Sequence, residues 1–153
     1  MVKPLTNPFL GGPVPLGSLF TAAGQRLAAE LDGALSDAGF PDLRSAHAPI
    51  FMGLAPEGSR VSDLAARARM TKQAAGELIR YLVGQGYLSV GPDPSDGRAK
   101  KVELTDCGWE AIKVGERVIA DFDAWLASQI GTAEVAQLRQ ILITIAETDP
   151  SRR

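Results

Sequence analysis

One cysteine, one histidine and no long apolar run set the first limits on this chain of 153 residues. Cys107 has no partner for an internal disulfide, which favours a reducing compartment. His47 is the sole imidazole, and no G-x-S-x-G, P-loop or metal-ligand spacing accompanies it. Neither a catalytic constellation nor a metal site is expected, and the chain reads as a non-enzyme without a cofactor. No stretch approaches the roughly 18 apolar residues of a membrane helix, so no membrane partner is expected. The N-terminal MVKPLTNPFLGGPVPLG lacks the apolar core and small-residue cleavage pattern of a secretory signal. The expected location is the cytoplasm.

What is present is enough for a core. Hydrophobic residues make up 45% of the chain, and the 22% charged residues mix both signs, so the composition is that of one globular domain. The net charge of −2 is unevenly spread. Between residues 60 and 102, eight basic residues face four acidic ones, a local balance of +4. The remainder carries eight basic against fourteen acidic residues, or −6. A basic segment on an acidic body can bind phosphate locally while the body's field discourages misdocking.

Four prolines within residues 1–15, with Gly11 and Gly12, predict an extended arm. Residues 16–38 predict a helix, its apolar stripe formed by Leu16, Leu19, Phe20, Ala23, Leu27, Leu31 and Leu35 and its end marked by Gly39 and Pro41. A shorter helix is expected over 43–54, with Pro49 kinking it or opening its first turn, and PEGSR at 56–60 reads as a loop. Ser62 is the expected cap of a third helix ending near Arg69. Thr71 caps a fourth, from Lys72 to about Gln85, with Gly86 as its stop and Ala75, Leu78, Ile79 and Leu82 as its buried stripe. Leu88–Val90 and Lys100–Leu104 read as strands around the turn PDPSDGR. Thr105 caps a long helix over about 106–130; Gly131 closes it, and Thr132 caps a last helix near 133–147.

Helix, tight turn, helix and hairpin in that order can read both grooves of a duplex. On the fourth helix Thr71, Lys72, Gln73, Gly76 and Arg80 lie opposite the buried stripe. Gln suits adenine, Arg and Lys suit guanine or phosphate, and Thr suits phosphate or a thymine methyl. The alternative for this helix is an ordinary amphipathic member of a bundle. Asp96, Gly97 and Arg98 are expected at the hairpin tip, with Lys100 and Lys101 following. Such a tip fits a minor groove, and Asp96 is placed to fix the direction of the arginine.

SDLAARARMTKQAAGELIRYLVGQGYL and DPSDGRAKKVELTDCGW together resemble the winged-helix regulators of the MarR (multiple antibiotic resistance regulator) family. The wing pattern D-P-x-D-x-R-A-K-x-V-x-L-T-x-x-G carries most of the specificity. The resemblance implies a mainly α fold with a small β-hairpin wing. In that fold residues 16–153 form one MarR-like domain, with the winged helix-turn-helix at about 43–105 and dimerisation helices at about 16–38 and 106–148. Thr71, Lys72, Gln73, Gly76 and Glu77 then lie on the recognition helix, and Arg98 is the wing arginine. Gly97 departs from the family, where many members carry a second basic residue. The implied function is a homodimeric, sequence-specific regulator of double-stranded DNA, a repressor in the favoured reading, on a pseudo-palindromic operator. A winged-helix module that binds protein and not DNA is the alternative.

The resemblance also implies a cleft for a small aromatic or anionic effector that would release the DNA. Phe20, Arg44, His47, Phe51 and Trp109 are its candidate lining, against the plain alternative that they are core. Cys107 sits near a helix start, away from the position of the reactive cysteine in redox-sensing relatives, and reads as structural or incidental.

Overall fold

The computed structural model describes residues 13–148. The expected N-terminal arm falls largely on residues 1–12, outside the described residues. Helix α1, Leu16–Asp37, ends where Gly39 takes φ +93° and the Phe40 N–H donates to the Leu35 carbonyl at 2.8 Å. That is the left-handed stop expected of Gly39.

The continuous helix expected over 43–54 is instead one 3₁₀ turn at Ser45–His47 followed by α2, Ala48–Gly53. Arg44 is extended, and its backbone N–H donates to His47 Nδ1 at 3.1 Å. The Ser45 N–H donates to the Asp32 carboxylate on α1. These side chains satisfy N–H groups that a longer helix would have used, and Pro49 sits in the first turn of α2, where its missing N–H costs nothing.

The predicted loop 56–60 contains a strand. Strand β1, Ser59–Arg60, follows Gly58 at φ +90° and pairs antiparallel with a later strand, Ser59 opposite Val102. Two residues are too few to show alternation, so nothing local announces it. Its consequence is that α3, Val61–Arg67, begins directly from extended Arg60. Ser62 therefore lies inside the first turn and does not cap it. Helix α3 stops at Arg67, short of the expected Arg69, because Arg69 itself takes φ +52°. Helix α4, Lys72–Gly84, is capped by Thr71 as expected. Gly86 follows at φ +83°.

Strands β2, Leu88–Asp93, and β3, Asp96–Leu104, are longer than predicted, and the sheet order is β1-β3-β2, all antiparallel. The turn shrinks to Pro94 and Ser95. Helix α5, Asp106–Ile130, follows Thr105, whose Oγ1 accepts the Gly108 N–H at 3.1 Å. The same hydroxyl reaches the carbonyl oxygens of Gly86 at 2.6 Å and Tyr87 at 3.1 Å. A Cβ on Gly108 would collide with the Tyr87 carbonyl and lie 2.9 Å from Leu104 Cδ2, which explains why glycine ends the wing motif. Helix α6, Thr132–Glu147, starts from Gly131 at φ +101°, so Gly131 is the cap position and Thr132 the first helical residue. The expected threonine cap is absent because the turn needs a left-handed residue at 131.

By packing, the chain divides at Gly115 into two units. The first holds the buried core. Ile50, Leu64, Ala75, Leu82 and Val102 are fully excluded from solvent, with Leu43, Ile79, Tyr87, Leu88 and Ala111 close to it. Helices α2, α3 and α4 and strands β2 and β3 all contribute to this cluster. Leu35 joins it from α1, while Leu16, Leu19 and Phe20 near the start of that helix remain exposed. In the second unit, the rest of α5 and all of α6, no described residue is buried. Phe122 and Trp125 meet there at a tilt of 47° with ring centroids 5.5 Å apart, and Arg139 pairs with Asp123 at 2.7 Å.

Candidate nucleic-acid interface

Helix α4 has two sides because its apolar residues recur at three and four positions. Ala75, Ile79 and Leu82 are buried and Leu78 half-buried, which seats the helix. Thr71 Oγ1 accepts the Ala74 N–H at 3.1 Å and fixes the first turn. Lys72, Gln73, Glu77 and Arg80 are exposed with Thr71. Gly76 lies between them, and a Cβ there would meet nothing within 4 Å. Gln73 Nε2 donates to Glu77 Oε1 at 3.2 Å. Lys72 and Arg80 enter no ion pair among the described residues, so their charges stay available.

The hairpin differs from its expected form at the tip. Asp93 Oδ1 accepts both the Ser95 N–H, at 2.8 Å, and the Ser95 hydroxyl, at 2.7 Å, closing the turn at Pro94–Ser95. Asp96, Gly97 and Arg98 consequently belong to β3 and not to the turn. Opposite them the register jumps: Pro92 faces Lys100, but Asp93 faces Asp96. Gly97, Arg98 and Ala99 are the excess residues of a bulge, and Arg98 is exposed on it. Asp96 does bond to Arg98, but to its backbone N–H at 3.1 Å, so it shapes the bulge and leaves the guanidinium free of that contact. Lys100 is exposed. Lys101, on the other face, is half-buried with Nζ 3.4 Å from Glu103.

Arg60 was not singled out by sequence and proves central to the wing's placement. It lies at the junction of β1 and α3, and its Nε donates to Asp93 Oδ2 at 2.7 Å. Its Nη2 reaches Ser95 Oγ at 3.4 Å and Asp96 Oδ2 at 3.8 Å. One guanidinium thus ties the start of α3 to the hairpin turn. The Ser95 hydroxyl, the Ser95 amide and Arg60 together hold the Asp93 carboxyl well below the usual carboxylate range. No local signal marks this pair, since 33 residues separate its members. Beside it lies an open cleft of about 380 Å³ with Arg60, Arg67, Asp63, Asp93 and Lys101 in its lining.

The five effector candidates are not gathered by a common contact. His47 packs on Tyr81 of α4, ring centroids 5.2 Å apart, and its Nδ1 accepts from Arg44. Burial lowers its pKa, partly offset by Asp32 and reinforced by Arg44. Phe51 packs against the core of the winged helix, whereas Phe20 on α1 and Trp109 on α5 are exposed. Cys107 is exposed. Among the described residues no group of three or more His, Cys, Asp or Glu side chains could hold a metal. Among the described residues no helix is long and apolar enough to cross a membrane.

A seated helix with an open polar side, an antiparallel hairpin after it and a third short strand define a winged helix-turn-helix. Residues 42–99, most of that module, match the model of the MarR family, the family that the helix and wing motifs resemble. The fold extends the likeness. The structure of a MepR–DNA complex from Staphylococcus aureus superposes with a TM-score of 0.73 at 18% identity, covering 88% of this chain and 98% of that one. Apo MarR from Escherichia coli gives 0.65 at 22% identity, covering 88% and 98%. A MarR-family transcriptional regulator from a Rhodococcus species gives 0.69 at 21% identity, covering 88% and 95%. Among curated proteins no match was found.

Proposed function

We propose that this chain is a sequence-specific, DNA-binding transcriptional regulator of the MarR type that works as a homodimer. The observation that carries the reading is α4. It is seated on the core through Ala75, Ile79 and Leu82, and it leaves Lys72, Gln73 and Arg80 open on the other side. The exposed Arg98 on the bulge of β3 adds a cation on the neighbouring hairpin. A winged helix that docked on protein would need an apolar surface at Lys72, Gln73 and Arg80. The likeness to a structure solved as a DNA complex supports the same reading.

Support for homodimerisation comes from apolar residues that stay exposed among the described residues of one chain. Ile141, Leu142, Ile143 and Ile145 on α6 are exposed, as are Leu16, Leu19 and Phe20 on α1. Surfaces of this kind mark protein interfaces, and two-fold pairing is the commonest solution. Two α4 helices related by a two-fold axis would read half-sites about one turn apart, roughly 10 bp, as a repressor's pseudo-palindromic operator offers. Release by a small aromatic or anionic effector completes the proposal, with Arg44 and His47 as the polar groups that would meet it.

The test is retention of genomic DNA fragments followed by titration of the retained duplex at several salt concentrations. Affinity should fall steeply as salt rises, because phosphate contacts release counterions. Arg98→Ala should weaken binding by about 1–3 kcal/mol. Absence of retained DNA, or an affinity indifferent to salt, sinks the reading.

A further inference from the structure

We infer that Gln73 reads an adenine in the major groove and that Glu77 is the positioning residue that turns its amide to do so. The inference rests on the DNA-binding proposal above and specifies its chemistry. The residues of α4 that face away from the core include a single acid, Glu77. A carboxylate on a surface meant for DNA is repelled by phosphate and can only accept hydrogen bonds, so it matches neither N7 nor O6 of guanine. Only the amino groups of cytosine and adenine could donate to it, and its neighbour one turn away on the helix already does.

Gln73 Nε2 lies 3.2 Å from Glu77 Oε1, one helical turn away. Because the carboxylate accepts only, it selects the orientation of the amide in which nitrogen faces Glu77 and oxygen faces away. One amide hydrogen is then used, leaving a second hydrogen and the carbonyl oxygen side by side. That donor–acceptor pair matches adenine, which presents N7 as acceptor and the N6 amino group as donor. Guanine presents two acceptors and leaves the Gln73 oxygen facing another oxygen. Lys72 and Arg80 have no acceptor atom and cannot read the adenine N6 group. Gly76, three residues on, has nothing within 4 Å of where a Cβ would stand, so no side chain beside Gln73 holds the base edge away.

The test is selection of binding sites from randomised duplex by the full chain, followed by titrations on single-base-pair variants of the selected site. The wild-type protein should select adenine at one position per half-site. Replacing that A·T pair should weaken binding about ten-fold or more. Gln73→Ala should bring all four base pairs at that position within about two-fold of one another. Glu77→Ala should relax the same preference while raising affinity for unrelated duplex, since a negative charge leaves the surface. Glu77→Gln, whose amide can donate as well as accept, no longer selects one orientation of Gln73 and should leave the adenine preference weaker than in the wild type. Both positions of change, Gln73 and Glu77, are exposed, and a thermal melt of each variant confirms the fold. Wild-type protein that retains duplex but selects no Gln73-dependent adenine overturns the inference and leaves the DNA reading standing. An unaltered preference in Glu77→Ala overturns the positioning role. A wild-type protein that retains no duplex sinks the DNA reading, and this inference with it.

Discussion

The two units of this chain have similar access to apolar residues and use them differently. Up to Gly115 the apolar positions converge on one cluster, from Leu35 and Leu43 through Leu64 and Leu82 to Val102 and Ala111. From Glu116 onward the chain is richer still in Ile, Leu, Phe and Trp, yet no described residue there is buried. Ile145 on α6 is 51% exposed, whereas Leu64 on α3 is 0%. The winged helix therefore carries its own hydrophobic driving force, and the C-terminal helices need a second surface to realise theirs. A unit that folds on its own core can keep its shape whatever covers the exposed apolar residues of the C-terminal helices.

The most severe way to break this contrast is a charge on the uncovered face. Ile141→Asp should weaken self-association by about 3–5 kcal/mol, because each protomer would bury an unpaired carboxylate. Sedimentation across a concentration series reads the change as a shift from dimer to monomer. The winged helix of the same full-length variant should remain folded, with its near-ultraviolet spectrum intact. A dimer that persists at micromolar concentration removes α6 from the interface.

Next in size is a change inside the first unit. Gly108→Ala would press a methyl group onto the Tyr87 carbonyl, where α5 passes the residues that follow α4. Backbone cannot give way as a flexible side chain does, so a loss of about 1–3 kcal/mol is expected. Urea denaturation of the whole protein measures it. Gly33→Ala on α1, which meets nothing within 4 Å, should be neutral or slightly stabilising and serves as the control. Equal midpoints for the two variants would show that the close approach at Gly108 is not needed.

These residues also show what could be read from the sequence. Periodicity located α1, α4, α5 and α6, because each runs long enough for its stripe to repeat. Gly39 and Gly86 marked turns because only a residue without Cβ takes the left-handed conformation cheaply. What escaped was short or non-local. Strand β1 has two residues and exists because Val102 and Lys101 pair with it. Ser62 fits a cap by composition, but β1 pulls the helix start back to Val61. The hairpin tip moved because Asp93 bonds to Ser95, leaving Arg98 on a bulge where a turn was expected. The polar side of α4 was legible residue by residue. The link from Arg60 to Asp93 was not, since nothing in either segment alone indicates the other.

A smaller effect belongs to Thr71. Its hydroxyl satisfies one orphan N–H at the start of α4, and Thr71→Ala should cost about 1 kcal/mol. Hydrogen exchange should show the loss locally, in faster exchange of the Ala74 amide, with the C-terminal helices unaffected. Uniform acceleration across both units would mean that they unfold as one.

The least effect at neutral pH, and the most informative about the contrast, comes from two ion pairs of equal length. Arg60–Asp93 and Arg139–Asp123 both close to 2.7 Å. The Asp93 side chain is only 10% exposed and also accepts two bonds from Ser95, whereas the Asp123 side chain is 42% exposed. Folding lowers the Asp93 pKa, so its contribution is complete above the unfolded carboxylate value of about 4. It shrinks as pH falls through that value toward the lower folded one. Asp93→Asn keeps an oxygen for Ser95 but removes the charge that Arg60 faces. Wild-type and Asp93→Asn proteins should therefore differ in urea midpoint at pH 7 and converge as the pH is lowered to 3. Asp123→Asn, whose partner is mostly in solvent, should track the wild type throughout, because exposed pairs gain little over their hydrated parts. A gap between wild type and Asp93→Asn that stays constant from pH 7 to pH 3 would mean that hydrogen bonding alone, and not the charge on Asp93, holds the wing to α3.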